Sequence, residues 1–245
     1  MDPPPRASLE RAMEVLYAVG ALEGGVKGRW MVDKGGAPWR LSDLGHHLGK
    51  MPVDARLGRM LIYGAVLGCL DPVLTIAATM STRSPFLSPF DKRDEANRAK
   101  RAFAKPRDKS DHILAVRAYD AWTCAKLMGS RHERQFCQDN FLSNISLRTI
   151  SDLRQQFRDV LVDAGFALNL RDLRRGNAVD PCNVNSENFR LIRAVIGAGL
   201  YPNVVRVQKP DTQYVETAGG AMAKNAAARE YKYFTQPDGR VFMHP

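Results

Sequence analysis

Three groups of polar and basic residues in the middle of the sequence have the chemistry to bind phosphate. Residues 92–109 contain eight basic and three acidic side chains, a local net charge of +5. Ser110-Asp111-His112 follows this run and has the composition of a helix start, where free N–H groups attract anions. A second polar group precedes a later predicted helix, and one arginine interrupts that helix's apolar stripe. The predicted phosphate-binding residues are Lys105, Arg107, Lys109, Ser110, His112, Asn140, Ser143, Asn144 and Arg154.

Each of these residues also has a structural explanation that the sequence leaves open. Ser110 and Asp111 can simply cap a helix, and the negative charge of Asp111 would repel phosphate. His112 fits equally well as a packed core histidine, and the basic run as a solvated helix face. Trp122 and Phe141 fall at helical spacing, which favours core packing over stacking on bases.

The common catalytic signatures are absent from the sequence. The phosphate-binding pattern G-x-x-x-x-G-K-[ST] is matched nowhere, and residues 219–224 come nearest but lack the second glycine and the hydroxyl. Nucleophile-elbow, zinc-protease and dinucleotide-binding patterns are missing as well. His46 and His47 are adjacent, so they cannot share one helix face. We therefore predict no catalytic, cofactor-binding or metal-binding residue in this chain.

The distribution of charge favours a polyanionic partner. The 245 residues carry 36 basic and 26 acidic side chains, a net charge of +10, and 44% are hydrophobic. Residues 83–175 hold 19 basic and 12 acidic side chains, net +7, against +1 for residues 1–82 and +2 for residues 176–245. Such a localised excess is typical of phosphate binding and favours nucleic acid over a membrane surface. The ordinary hydrophobic content excludes wholesale disorder.

The cysteines and the most apolar segment argue against two other classes of protein. The four cysteines show neither C-x-x-C spacing nor a histidine at ligand spacing, which indicates reduced thiols in a cytoplasmic or nuclear protein rather than zinc ligands. Residues 60–80 are long and apolar enough to resemble a membrane span. Asp71-Pro72 interrupts them, however, which predicts two buried helices meeting there.

Apolar spacing predicts a mainly α-helical fold. Residues 24–40, with five glycines, predict a loop or wing, and residues 167–184 a polar surface loop. Helices are expected over 7–22, 41–50, 55–69, 71–79, 91–104, from Ser110 past Ala125, and over 131–141, 146–164 and 185–199, with Asp54, Ser110, Ser146 and Asn185-Ser186 as caps. Strands are expected at 204–207, 213–215, 231–234 and 240–242, with residues 219–229 as an inserted loop.

Several sequence runs, in order, resemble motifs of one protein region. LSDLGHHLGKMPVDARLGRM at 41–60 is similar to LT-x-LG-x-x-L-x-x-LP-V-x-P-x-x-G-(K/R)-(M/L), and CLDPVLTIAA at 69–78 to CLDP-x-LTIAA. Pro85-Phe86 resembles the (D/S)PF that follows. Later matches are SDH at 110–112 with Trp122, FCQDNFLS at 136–143, AGF at 164–166, AGLYPNV at 198–204 and DGRVFMHP at 238–245. Together they resemble the helicase-associated region of DEAH-box, RNA helicase A-like helicases.

The resemblance covers residues 7 to 245 and implies three domains. These are a winged-helix remnant at 1–40, a helicase-associated ratchet-like helical bundle at 41–200 and a truncated OB-fold at 201–245. In the family, two RecA-like domains with the ATPase motifs precede this region, so ATP and magnesium are implied for those domains only and no cofactor for this chain. We expect a fragment, a truncated gene model or a degenerate paralogue.

Two functions of different classes follow from the resemblance. The first is an RNA-binding auxiliary region of an ATP-dependent RNA helicase, with single-stranded RNA as the expected partner and the helicase core or an activator protein as further partners. The alternative is a stand-alone protein-interaction module derived from a helicase C-terminus. Partner capture that survives nuclease treatment would favour the alternative.

Overall fold

A computed structural model describes residues 3–24, 39–105, 110–169, 179–211, 214–217, 220–223, 230–235 and 238–242. Internal contacts divide the chain into a large unit, Met1–Gly199, and a small unit, Leu200–Pro245. The described residues are mainly helical, which confirms the predicted fold class. The winged-helix, ratchet and OB-fold assignments stay predictions.

The helices follow one another closely along the chain. Those of the described residues are α1 Arg6–Ala18, α2 Asp43–Leu48, α3 Ala55–Val66, α4 Leu70–Met80, α5 Arg93–Ala102, α6 Asp111–Leu127, α7 Ser130–Asp139, α8 Asn144–Asp163 and α9 Phe189–Leu200. Two short strands, β1 Leu22–Glu23 and β2 Arg40–Leu41, pair antiparallel between α1 and α2, with Leu22 opposite Leu41. Most of the residues predicted as a wing between these strands lie outside the described residues.

Helix α4 lies at the centre of the large unit, packed against α3, α6 and α8. Its residues Leu70 and Pro72 to Ala78 are all buried, as expected for a helix that has neighbours on most sides. A Cβ added to Gly64 of α3 would lie 2.9 Å from Cβ of Val73, so glycine permits the close approach of α3 and α4.

The break between α3 and α4 falls earlier than the sequence suggested. Gly68 has φ +70°, which favours glycine, and α4 begins at Leu70 rather than at Asp71-Pro72. Pro72 fits in the first turn because N–H groups there have no partner within the helix. None of the described helices is long and apolar enough to span a bilayer.

Side-chain caps set the starts of the helices that form the candidate site. Asp54 accepts from the N–H groups of Arg56 and Leu57, and Ser110 from that of Ile113, as predicted. The prediction that Ser146 caps α8 is wrong. The helix begins two residues earlier, and the hydroxyl of Ser143 accepts from the Ser146 N–H at 3.2 Å. Several polar residues precede this helix, and spacing alone does not separate them.

The start of α9 also differs from its prediction. Asn188 Oδ1 accepts from the N–H of Leu191 at 3.2 Å, so Asn188 rather than Asn185-Ser186 caps the helix. Asn185 is used elsewhere: its side chain donates to the carbonyl of Leu67 at 2.9 Å, and its N–H donates to the carbonyl of Gly68 at 2.6 Å. A long-range contact therefore occupies the residue that local sequence suggested as a cap.

The small unit contains short antiparallel strands. β3 Arg206–Gln208, β6 Lys232–Thr235 and β7 Gly239–Val241 form a sheet in the order β3-β6-β7. β4 Tyr214–Thr217 and β5 Gly220–Ala223 form a separate pair. β5 falls in the segment predicted as an inserted loop, because hydrogen bonding to β4 outweighs the low strand propensity of its glycine and alanines.

Arg59 is a buried cation that ties together distant parts of the large unit. Its side chain donates to the carbonyl of Val19 and to that of Gly199, both at 3.0 Å. Burial lowers its pKa, yet the group remains charged at neutral pH because the ordinary pKa of an arginine side chain lies far above 7. The guanidinium thus joins the end of α1, the middle of α3 and the end of α9.

We predict that Arg59→Leu lowers the free energy of unfolding by about 2–4 kcal/mol, because two buried carbonyls lose a charged donor. Urea unfolding followed by circular dichroism measures the change. Arg11→Leu is the control, because it makes the same substitution at an exposed arginine of α1. Equal midpoints for the two variants would contradict the structural role of Arg59.

Candidate nucleic-acid interface

Backbone hydrogen bonds join the segment around Phe86 to the start of α8. Phe86 forms an antiparallel bridge with Leu142. The carbonyl of Pro85 accepts from the Ser143 N–H, and the N–H of Leu87 donates to the Phe141 carbonyl, both at 2.8 Å. Phe141 has φ +52°, which is uncommon for a bulky residue and is held here by the flanking bonds.

The polar residues around the start of α8 divide into those whose hydrogen bonds the fold uses and one, Asn144, whose amide oxygen it leaves unpaired. Asn140 donates to the Phe136 carbonyl at 2.9 Å, and the Ser143 hydroxyl caps the helix. Asn144 Oδ1 is buried and has no hydrogen-bond partner among the described residues. The amide of Asn144 is therefore the group of this cluster with unused hydrogen-bonding capacity.

The start of α6 carries the second predicted group. Ser110 caps the helix, and the Asp111 carboxylate lies 3.8 Å from Nζ of Lys100 on α5. That lysine offsets the repulsion that Asp111 would exert on a phosphate. Lys105 is exposed at the end of the described stretch. Arg107 and Lys109 lie outside the described residues.

An aromatic cluster formed by Phe86, Phe103 and Phe136 lies beside the start of α8 and next to Lys100 of α5. The Phe86 and Phe103 ring centroids are 6.5 Å apart, and those of Phe103 and Phe136 are 6.3 Å apart. Nζ of Lys100 lies 5.3 Å from the Phe86 ring centroid. Phe86 therefore contacts both the α8 start, through Leu142, and the lysine that faces the α6 start. Sequence reasoning missed Lys100 as a member of the site, although the basic run contained it.

A cavity of about 330 Å³ opens beside the α8 start. Its walls combine apolar side chains with the amides of Asn144 and Gln138 and the guanidinium-bearing Arg134. The lining residues are Leu87, Arg134, Cys137, Gln138, Phe141, Leu142 and Asn144. The site thus offers a cationic residue, amides and an aromatic residue at one opening.

Arg154 lies apart from this group. Its guanidinium donates to the Asp71 carboxylate at 2.5 Å and to the Asp71 carbonyl at 2.7 Å, and it also contacts the Thr75 hydroxyl. It lies 4.7 Å from the Tyr119 ring centroid and is only 14% exposed. The interrupted apolar stripe that singled out Arg154 therefore has a structural explanation, and its RNA contact stays a prediction.

Two other residues of α6 are explained by burial. His112 is half-buried, and this desolvation lowers its pKa against the opposing charge of Asp111, so the imidazole is neutral at pH 7. Trp122 is 1% exposed, which confirms the prediction of a core role. A neutral His112 can hydrogen-bond a phosphate or a base but adds no charge to the surface.

Asp120 of α6 has a raised pKa. Desolvation of its carboxylate, reinforced by the negative charges of Asp71 and Glu187, raises this pKa to about 6, and Arg154 opposes the shift.

The described residues contain no group of three or more side chains suited to hold a metal ion.

Comparison with known proteins places this sequence in a family. Residues 54–115 match the family described as helicase associated domain (HA2), ratchet-like. The whole chain is 37% identical over 245 residues to the DExH-box ATP-dependent RNA helicase DExH1 of Arabidopsis thaliana and 33% identical over 246 residues to the human ATP-dependent DNA/RNA helicase DHX36. The chain belongs to the helicase-associated region of the DEAH-box helicases. Human DHX57 is 40% identical over 195 residues, which cover 75% of the chain.

The helicase-associated chain is short beside these relatives. It spans 14% of the length of human DHX57 and 21% of the length of DExH1 and of human DHX36. The match confirms the resemblance seen in the motifs. The 54–115 match includes Lys105 to His112, so one of the two helix starts at the candidate site falls within the matched domain.

We predict that Arg154→Met lowers the free energy of unfolding by about 1–3 kcal/mol, because Asp71 and Thr75 lose their charged donor while the apolar stem is kept. Thermal and urea unfolding measure this change. The exposed residue Arg134, changed to methionine, is the control for stability. A stable Arg154→Met variant that binds RNA poorly would instead support direct RNA contact by Arg154.

We predict that Asp120→Asn stabilises the chain at pH 7.5 relative to the wild type and that this advantage shrinks as the pH falls to 4. The folded carboxyl holds its proton up to about pH 6, against a reference pKa of 3.8, so the wild type loses stability as the pH rises through that interval. Melting temperatures at several pH values test this. Asp152→Asn, on an exposed part of α8, controls for the loss of one negative charge. A constant difference across the pH range would contradict the assignment.

Proposed function

We propose that this chain is the auxiliary RNA-binding part of a DEAH-type ATP-dependent RNA helicase and that it binds single-stranded RNA at the surface around Phe86. The observation that carries the proposal is the position of Phe86, which bridges to Leu142 at the start of α8 and lies beneath Lys100 of the basic helix α5. The same lysine lies 3.8 Å from Asp111 at the start of α6. The relatives are named as ATP-dependent helicases that act on RNA, or on DNA and RNA.

The electrostatics of the surface support a phosphate backbone as the ligand. Residues 92–109 carry a net charge of +5. Lys92, just before α5, and the α5 side chains Arg93, Arg98 and Arg101 are exposed. The N–H groups at the starts of α6 and α8 add positive potential at its edge. Counterion release from such a surface drives binding that is sensitive to salt and largely independent of sequence.

The cavity beside Asn144 supports a preference for unpaired strands. The exposed amide of Gln138, the unpartnered amide oxygen of Asn144 and the Phe141 ring line this cavity, and such groups suit the edge and face of a base that is not already paired. A duplex presents mainly its phosphates, so it would use the basic run but not the cavity. Single-stranded RNA is therefore the ligand that uses every part of the site.

ATP hydrolysis is proposed to reside elsewhere in the parent protein. The relatives are about five to six times as long as this chain, and no phosphate-binding loop pattern occurs in its sequence. ATP and magnesium would accordingly serve the parent helicase rather than this region. An RNA ligand and a helicase core as partner are consistent with a cytoplasmic or nuclear location.

Mutation of the basic run tests the proposal. Lys105, Arg107 and Lys109 changed together to alanine are expected to weaken binding of a fluorescein-labelled single-stranded RNA and to reduce the slope of log affinity against log salt by about 2, since each lost phosphate contact removes about 0.7. Fluorescence anisotropy at several salt concentrations measures both quantities. The same preparation is expected to hydrolyse no ATP.

A matched triple variant controls for overall charge. Arg11, Lys50 and Arg190 are exposed basic residues outside the Phe86 surface, and changing them to alanine removes the same three charges. This control is expected to keep most of the affinity and the salt slope. Equal losses in the two triple variants, or an affinity that does not change with salt, would contradict RNA binding by the basic run at residues 92–109.

A further inference from the structure

The loop before α5 contains two Ser-Pro dipeptides with different surroundings. At the first, Ser84 Oγ accepts from the Phe86 N–H at 3.3 Å, and Pro85 is buried. The Pro85 carbonyl accepts from the Ser143 N–H at 2.8 Å. An enzyme that must surround Ser84 and the proline after it would have to pull this segment away from the start of α8.

The second dipeptide, Ser88-Pro89, is accessible. Ser88 is exposed, as are its neighbours Leu87 and Phe90, and Phe90 is fully solvent-exposed. Pro89 has φ −60° and ψ 143°, an extended conformation. After Ser88, a turn closed by the bond from the Lys92 N–H to the Pro89 carbonyl at 3.2 Å leads into α5. Opening one such turn requires no disruption of the core.

We propose that Ser88 is a phosphorylation site for proline-directed serine/threonine kinases and that its phosphate weakens RNA binding at the Phe86 surface. The kinase would transfer the γ-phosphoryl group of ATP to Ser88 Oγ, forming the phosphate ester and releasing ADP, while the hydroxyl proton passes to the kinase's base. The regulatory half of this proposal rests on the proposed RNA-binding function, but the modification itself does not.

The position of Ser88 explains why its phosphate would matter. Leu87, the residue before it, lines the same cavity as Arg134 and Asn144. A phosphate on Ser88 would thus add about two negative charges at the rim of that cavity. It would compete with RNA phosphates for Arg134 and for the basic residues that begin α5. Ser84 belongs to the same kind of dipeptide, but hydrogen bonds hold its segment to the start of α8. The rates of modification at the two serines can therefore be compared within one chain.

The test treats the full chain with a purified mitogen-activated protein kinase and ATP-magnesium and maps the modified residues by mass spectrometry. A synthetic peptide of residues 80–96 supplies the unfolded reference. The folded chain is expected to be modified at Ser88 at least about tenfold faster than at Ser84, because Ser84 reacts only after local opening. In the peptide, the two rates should lie within about threefold of each other, since neither serine is protected there.

Each outcome decides the modification site. Absence of phosphate from Ser88 in the folded chain, or equal rates at Ser84 and Ser88, would overturn the proposal. Ser88→Ala is expected to remove most incorporation, and Ser84→Ala to leave it nearly unchanged. Both variants change one exposed hydroxyl and keep the proline that follows it.

The RNA measurement tests the regulatory half. The phosphorylated chain is expected to bind labelled single-stranded RNA about three- to tenfold more weakly than the unmodified chain at low salt, with a smaller difference at high salt. Kinase treatment should not affect binding by Ser88→Ala. Unchanged affinity after modification of Ser88 overturns regulation, whereas failure of the unmodified chain to bind RNA overturns the proposed function and leaves the modification site standing.

Discussion

The contact of Arg154 with Asp71 and Tyr119 is the constraint on which the candidate interface depends. It joins α8 to α4 and α6, and both helix starts at the interface belong to helices that it fixes. A guanidinium suits this position because its planar group can donate to Asp71 and Thr75 while its face lies over an aromatic ring. Interfaces built on rigid helices hold their groups more precisely than those built on free loops, so an internal ion pair serves the surface indirectly.

The helical character of the chain could be predicted because it depends on the spacing of residues that are close together in the sequence. Apolar residues at helical intervals located several helices of the large unit, and Asp54 and Ser110 marked two starts correctly. The starts of α8 and α9 could not be chosen from the sequence, since several cap-type residues stand in a row before each helix. At α9 the choice depends on Asn185, which contacts Leu67 and Gly68 more than a hundred positions away.

At the candidate site, too, the sequence predicts the residue types but not the contacts between different helices. The sequence singled out Ser110, Ser143 and Asn144 by type. The structure places Phe86 against the start of α8, and Lys100 links Phe86 to Asp111 at the start of α6. The sequence could not show that Lys100 faces Asp111, because that contact crosses from one helix to the next. Nor could it show that Arg154 is held internally, since a lone arginine on an apolar stripe looks the same whether it meets an acid or a ligand.

The architecture also separates residues that hold the candidate interface together from those that are accessible on it. Hydrogen bonds from Ser143 and Leu87 fix the Phe86 segment, and Asn140 is bonded to its own helix. What remains accessible is the exposed basic side of α5, the cavity beside Asn144 and the short exposed stretch at Ser88. A surface of this kind can lose affinity through a change of charge at its rim without any change in the core, because the rim is held to the core by backbone bonds rather than by the charges themselves.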